Sequence, residues 1–131
     1  MRQIQQVMQR IAKYAPEIKI EIGEKGALKP CHILITTPNY ISANLTGRAK
    51  LNLSKLKMLI YDEADELFIQ AGNKDALRML RDNVTKGKPD IQQLLFSATF
   101  NEEFEKAIGE FIQEMKGFKI PRQALKLAGV K

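Results

Sequence analysis

The sequence predicts an α/β fold, a parallel sheet with helices on both faces. Three observations carry that reading. Short apolar runs alternate with stretches at helical spacing, the pattern of strand–helix–strand units. One run, Leu56 to Tyr61, has the apolar character of a strand buried on both faces of a parallel sheet. Polar clusters close these runs, and open α/β sheets keep their chemistry beyond the carboxyl ends of the strands.

The elements follow in order. Ile4, Val7, Met8 and Ile11 recur at helical spacing, and Ala15-Pro16 ends that helix. Ile18, Ile20 and Ile22 alternate with charged residues, which predicts a short half-exposed strand, and Gly23-Glu24-Lys25-Gly26 is a turn. His32 to Thr36 is a second strand. Thr37 caps the next helix with Pro38 at its first position, Ile41 and Leu45 share one face, and Gly47 closes it. Leu56 to Tyr61 is the third strand. After Asp65 the pattern predicts a loop around Gly72-Asn73, then a helix holding Ala76, Leu77 and Leu80. Gln93 to Phe96 is another buried strand. Asn101 caps an amphipathic helix that buries Phe104, Ala107, Ile108, Phe111, Ile112 and Met115, with Glu102 and Glu103 placed to favour its dipole. Phe118 to Ile120 reads as a last short strand, and Pro121 to Lys131 as a linker.

Size and composition narrow the function classes. A chain of 131 residues fits one domain, and 44% hydrophobic content is ordinary for a globular protein. A net charge of +6 suits a polyanionic partner without demanding one. The single cysteine, Cys31, excludes an internal disulfide, and Cys31 with the lone His32 is too small a set for zinc. No apolar stretch is long enough to span a bilayer and no leader pattern is visible, so no membrane partner is expected. The chain opens directly inside a helical pattern, as an excised piece of a longer protein does.

The chemistry concentrates at three places. Lys57-Met58-Leu59-Ile60-Tyr61 runs straight into Asp62-Glu63-Ala64-Asp65, and Ser97-Ala98-Thr99 ends the later apolar run. A carboxylate at a strand end, here Asp62, can hold Mg²⁺ through the ion's own waters. Glu63 beside it can orient a water toward a γ-phosphate, a reaction that depends mainly on positioning and charge neutralisation. Small Ala64 lets the loop pack tightly, and Asp65 can accept hydrogen bonds from Ser97 and Thr99. At the third place, the start of the helix after Thr37-Pro38-Asn39, free backbone N–H groups suit a phosphate. Taken alone, Thr37-Pro38 reads first as an ordinary cap.

Asp62-Glu63-Ala64-Asp65 with Ser97-Ala98-Thr99 resembles motifs II and III of the DEAD-box ATP-dependent RNA helicases. Arg2-Gln3-Ile4 is similar to the remnant of the helix after the family's Pro-Thr-Arg-Glu-Leu motif. Ile33 to Pro38 is similar to the strand entering motif Ib, usually Thr-Pro-Gly-Arg. Leu94 to Phe100 and the ending Leu125 to Lys131 resemble the mRNA-export branch at the nuclear pore. The resemblance implies a partial RecA-like (P-loop NTPase) domain over 1–120, carrying motifs Ib, II and III, with 121–131 leading toward a second RecA-like domain. It implies ATP and Mg²⁺ as cofactors and RNA as partner. Asp62 would bind Mg²⁺ through water, Glu63 would activate the attacking water, and Asp65, Ser97 and Thr99 would couple the nucleotide site to RNA. Thr37, Pro38 and Asn39 would meet an RNA phosphate. Location would be cytoplasmic, nuclear or both.

The departures are equally specific. Asn39-Tyr40 stands where the family has Gly-Arg, which removes a bidentate phosphate donor. Tyr40 could stack on a base or simply pack, and Gly23 or Gly26 lies near the family's double-Gly position. The 131 residues contain no Gly-x-x-x-x-Gly-Lys-Ser/Thr loop, no adenine-reading Gln motif and no arginine finger, so the chain alone is expected to be inactive. The resemblance places the phosphate-loop strand between the motif II and motif III strands. Its loss would be met by a partner half, by strand exchange or self-association, or by direct pairing across the gap. The competing function class is a truncated or degenerate, non-enzymatic RNA-binding or protein-interaction module. An unrelated metal-dependent hydrolase fits poorly, because the three acids are adjacent rather than gathered from several strands.

Overall fold

The computed structural model describes residues 1–24, 26, 28–46, 51–85, 91–112 and 116–117. Helix α1 (Arg2–Ile11) continues into a 3-10 turn (Ala12–Tyr14) and is followed by strand β1 (Ile20–Gly23). Strand β2 (Ile33–Thr36) leads into α2 (Pro38–Thr46). Strand β3 (Met58–Tyr61) leads into α3 (Ala64–Ile69), and α4 (Lys74–Thr85) comes next. Strand β4 (Gln92–Leu95) is followed by α5 (Glu102–Gly109). Gly47, Met115, Phe118 to Ile120 and the 121–131 segment lie outside the described residues.

Both strand pairings are parallel, as the alternation of strands and helices requires. β1 pairs with β2 with Ile20 opposite Ile33, and β3 pairs with β4 with Met58 opposite Gln92 and Tyr61 opposite Leu95. Among the described residues these are two separate two-stranded sheets. His32 splices the first pair: its N–H donates to the Lys19 carbonyl at 2.9 Å, and its Nδ1 accepts the Lys19 N–H at 3.0 Å. The Gln5 side chain ties α1 to this sheet through the Ile20 carbonyl, 3.3 Å away.

The core lies around β3. Tyr61, Ala64, Phe68, Leu77, Leu80, Val84, Phe104 and Ile108 form one buried cluster. It is bounded by partly buried Leu59, Leu95, Phe111 and Ile112. Phe68 is 1% exposed, with its ring 5.1 Å from Tyr61 and 5.2 Å from Phe111. α5 starts as expected: the Asn101 side chain accepts the Phe104 N–H at 2.9 Å. It ends at Gly109, and Phe111 and Ile112 extend it only through turn hydrogen bonds to the Ile108 carbonyl.

Two expectations are corrected here, and of the three ways offered for meeting the loss of a central strand the structure takes direct pairing. The segment after Asp65 is a helix, α3, rather than a loop, because Ala64 and Phe68, four residues apart, both anchor in the core. β3 is buried on one face only: Leu59 and Tyr61 face the core, while Met58 and Ile60 remain 43% and 48% exposed. No slot separates the motif II and motif III strands. The Phe96 N–H donates to the Tyr61 carbonyl at 2.9 Å and the Gln92 N–H to the Lys57 carbonyl at 3.1 Å. Backbones joined in this way sit at adjacent-strand spacing, about 4.8 Å, which leaves no room for a third strand between them.

Candidate functional site

β3 and β4 end level with one another, so the chain segments that leave them emerge side by side. Tyr61, the last residue of β3, sits opposite Leu95, the last of β4. One more bond closes the junction: the Ala64 N–H donates to the Phe96 carbonyl at 2.9 Å. Ala64 is fully buried, so any larger side chain there would collide with the core. The small residue between the acids therefore sets how closely the two strand ends approach.

Asp65 reaches across that junction. Its Oδ2 accepts the Thr99 N–H at 3.1 Å and also accepts the Thr99 hydroxyl. The Ser97 hydroxyl donates to the Thr99 carbonyl at 2.6 Å, and the Thr99 N–H also points to Ser97 Oγ at 3.3 Å. Ser97 thus shapes the turn that presents Thr99. The Thr99 hydroxyl is the main influence holding the Asp65 carboxyl below its ordinary range. Desolvation, the next largest influence, opposes it, and the Glu66 N–H, the Ser97 hydroxyl and the Thr99 N–H each add to the lowering.

Asp62 and Glu63 stand beside this junction and are exposed. Asp62 Oδ1 accepts the Glu63 N–H at 3.1 Å, which leaves its second oxygen uncommitted among the described hydrogen bonds. Glu63 adopts the left-handed conformation, φ 51 and ψ 48, the one non-glycine residue with positive φ among those described. Such a conformation costs about 1 kcal/mol or more and persists only where surrounding contacts impose it. Here they are the Ala64–Phe96 bond and the start of α3, where the Leu67 N–H donates to the Glu63 carbonyl at 3.0 Å. No local sequence pattern signals this strained turn.

The donor set fits an indirectly held cation. Among the described residues no three His, Cys, Asp or Glu side chains gather as a direct metal cage. An exposed strand-end carboxylate with one free oxygen suits Mg²⁺ that keeps its waters.

The third group, Thr37, Pro38 and Asn39, opens α2. Thr37 Oγ1 accepts the Tyr40 N–H at 3.4 Å and its carbonyl accepts the Ile41 N–H at 3.2 Å. Pro38 has no N–H. Among the N–H groups of Asn39 to Ile41, only that of Asn39 has no partner among the described hydrogen bonds. Tyr40 packs: its hydroxyl donates to the Gly26 carbonyl at 3.1 Å.

Comparison with known proteins follows this geometry. A family model described as DEAD/DEAH box helicase matches residues 1–107. The chain is 31% identical over 134 residues to the ATP-dependent RNA helicase DBP5 of Gibberella zeae, covering 98% of this chain and 27% of that protein. It is 32% identical over 137 residues to DEAD-box ATP-dependent RNA helicase 38 of Arabidopsis thaliana, covering 96% of this chain and 27% of that protein. It therefore spans about a quarter of these relatives' length. Among solved structures, S. cerevisiae Dbp5 bound to RNA and ADP BeF3 superposes with a TM-score of 0.77 at 24% identity, covering 94% of this chain and 32% of that one. A Dbp5 variant bound to Nup159, a Gle1 variant, IP6 and ADP gives 0.69 at 27% identity, covering 84% and 29%. The α/β architecture is that of these RecA-like domains, and the chain belongs to the DEAD/DEAH box helicase family.

Proposed function

We propose that this chain supplies the motif Ib, II and III portion of an N-terminal RecA-like domain, in a protein that couples ATP binding and hydrolysis to RNA unwinding or ribonucleoprotein remodelling. The observation that carries the reading is the Asp65–Thr99 junction across two adjacent strand ends, with Asp62 and Glu63 alongside. Asp62 holds Mg²⁺ through its waters, and Glu63 orients the attacking water. Asp65 and Thr99, with the Ser97 turn behind them, transmit the state of the nucleotide site to the strand ends. Bound Mg²⁺-ATP supplies the phosphoryl group that is cleaved. Thr37, Pro38 and Asn39 meet an RNA phosphate through the Asn39 N–H and the polar side chains, a contact that positions the strand without reading its bases.

The relatives named DBP5 and the Dbp5 complex with Nup159 and Gle1 support an mRNA-export setting at the nuclear pore, cytoplasmic or nuclear. A phosphate loop and an arginine finger must come from elsewhere, so the 131 residues alone hydrolyse no ATP. The test joins this chain to a phosphate-loop half and a second RecA-like domain and measures RNA-stimulated ATPase. Glu63→Gln should abolish turnover while leaving ATP affinity within about threefold. Full turnover in that variant, or RNA-stimulated ATPase from the isolated chain, would overturn the assignment.

A further inference from the structure

The residue that replaces the family's motif Ib arginine is a strut. Tyr40 lies in the first turn of α2, and its ring covers the Gly23 backbone so closely that an added Cβ there would sit 2.6 and 2.8 Å from two ring carbons. The Tyr40 hydroxyl then donates to the carbonyl of Gly26, a residue in the left-handed conformation at φ 76, at 3.1 Å. A second bond, donated by Thr36 Oγ1 to the Gly23 carbonyl at 2.8 Å, fixes Gly23 from the end of β2. The Tyr40 N–H is in turn held by Thr37 Oγ1 at 3.4 Å. One side chain thus links Gly23, the last residue of β1, and Gly26 beyond it to the residues that open α2.

We propose that Tyr40 is a positioning residue for RNA-backbone binding, resting on the reading of Thr37 and Asn39 given above. It fixes the Gly23 and Gly26 backbone beside the first turn of α2, so that both present to the strand as one preformed surface. An arginine would add a phosphate contact and its charge. Tyr40 adds neither, and contributes by lowering the ordering cost of its neighbours. Its removal should therefore weaken RNA binding without altering how binding depends on salt, whereas loss of a charged phosphate contact lowers that slope.

The experiment measures anisotropy of a labelled single-stranded oligouridylate with the 131-residue chain at several salt concentrations, well below the melting temperature of each variant. Tyr40→Phe, which keeps the ring, should lose about fivefold in affinity, the worth of one hydrogen bond. Its salt slope should be unchanged, and the Gly26 amide environment should shift by NMR. Gly23→Ala should lose at least as much by pushing the ring away. In the Gly23→Ala, Tyr40→Ala double variant the ring clash vanishes and only the 2.8 Å approach to Thr36 Oγ1 remains, so its loss of affinity should be smaller than the two single losses combined. If Thr37→Val weakens binding but Tyr40→Phe and Gly23→Ala do not, the role of Tyr40 is overturned and the RNA surface stands. If the wild-type chain binds no oligouridylate at low salt, both fall.

Discussion

Replacing Phe68 tests what holds the acidic strand end in place. Phe68 is the inner anchor of α3, the helix whose first turn carries Asp65, and its ring meets Tyr61, Phe104 and Phe111 at centroid distances of 5.1, 6.4 and 5.2 Å. It is 1% exposed, so truncation removes a whole buried ring that little can refill. Phe68→Ala should cost about 4 kcal/mol, the middle of the range for such changes. Small domains hold roughly 5–15 kcal/mol in total, so the variant sits near the threshold of unfolding. Phe68→Leu keeps most of the volume and should cost about 1.5 kcal/mol. With a urea slope of about 1.5 kcal/mol per molar, the midpoints fall by roughly 2.7 M and 1 M. Equilibrium urea unfolding followed by circular dichroism reads both. A Phe68→Ala midpoint within 0.5 M of wild type, at unchanged slope, refutes the argument that this ring anchors α3.

Other outcomes follow from the same structure. Asp65 has a lowered carboxyl pKa, so its contribution to stability is fully present above the ordinary value of about 3.9 and is lost as pH falls through the lowered folded value. Thr99→Val should move the Asp65 titration, read by side-chain carboxyl NMR, back up toward that ordinary value; an unmoved titration contradicts the hydrogen bond. Burial pushes the Tyr61 phenol up to about 12, so the neutral form stabilises the fold below the ordinary value of about 10 and that contribution disappears as pH rises through the folded value. Ultraviolet titration should show a late tyrosine component that vanishes in Tyr61→Phe. Asn101→Ala removes the cap of α5 and should cost about 1 kcal/mol by urea unfolding, with Asn101→Asp closer to wild type.

Much of this was legible in the sequence, and the exceptions have physical causes. The four described strands, their parallel pairing, the Asn101 cap and the meeting of Asp65 with Thr99 follow from local patterns, although β4 is only partly buried and Phe96 is exposed where a buried strand was expected. The missed helix α3 is six residues long, too short for periodicity to declare itself, although Ala64 and Phe68 hold its face. The exposure of Met58 and Ile60 was hidden because an apolar strand looks the same whether or not something covers its second face. The left-handed Glu63 arises from a contact with Phe96, 33 positions away in sequence, which no local pattern encodes. The sequence favoured packing over stacking for Tyr40, but its partners, Gly23 at the end of β1 and Gly26 beyond it, lie 14 or more positions away and carry no local signal.

The account depends on β3 and β4 being bonded to each other, with the acids and the Ser-Ala-Thr turn joined above them. Through-hydrogen-bond scalar couplings in an isotopically labelled sample measure this directly. The Phe96 nitrogen should couple to the Tyr61 carbonyl carbon, and the Ala64 nitrogen to the Phe96 carbonyl carbon. Absence of both couplings in a folded sample, with nuclear Overhauser contacts placing Asp65 and Thr99 on separate surfaces, contradicts the site and the function built on it.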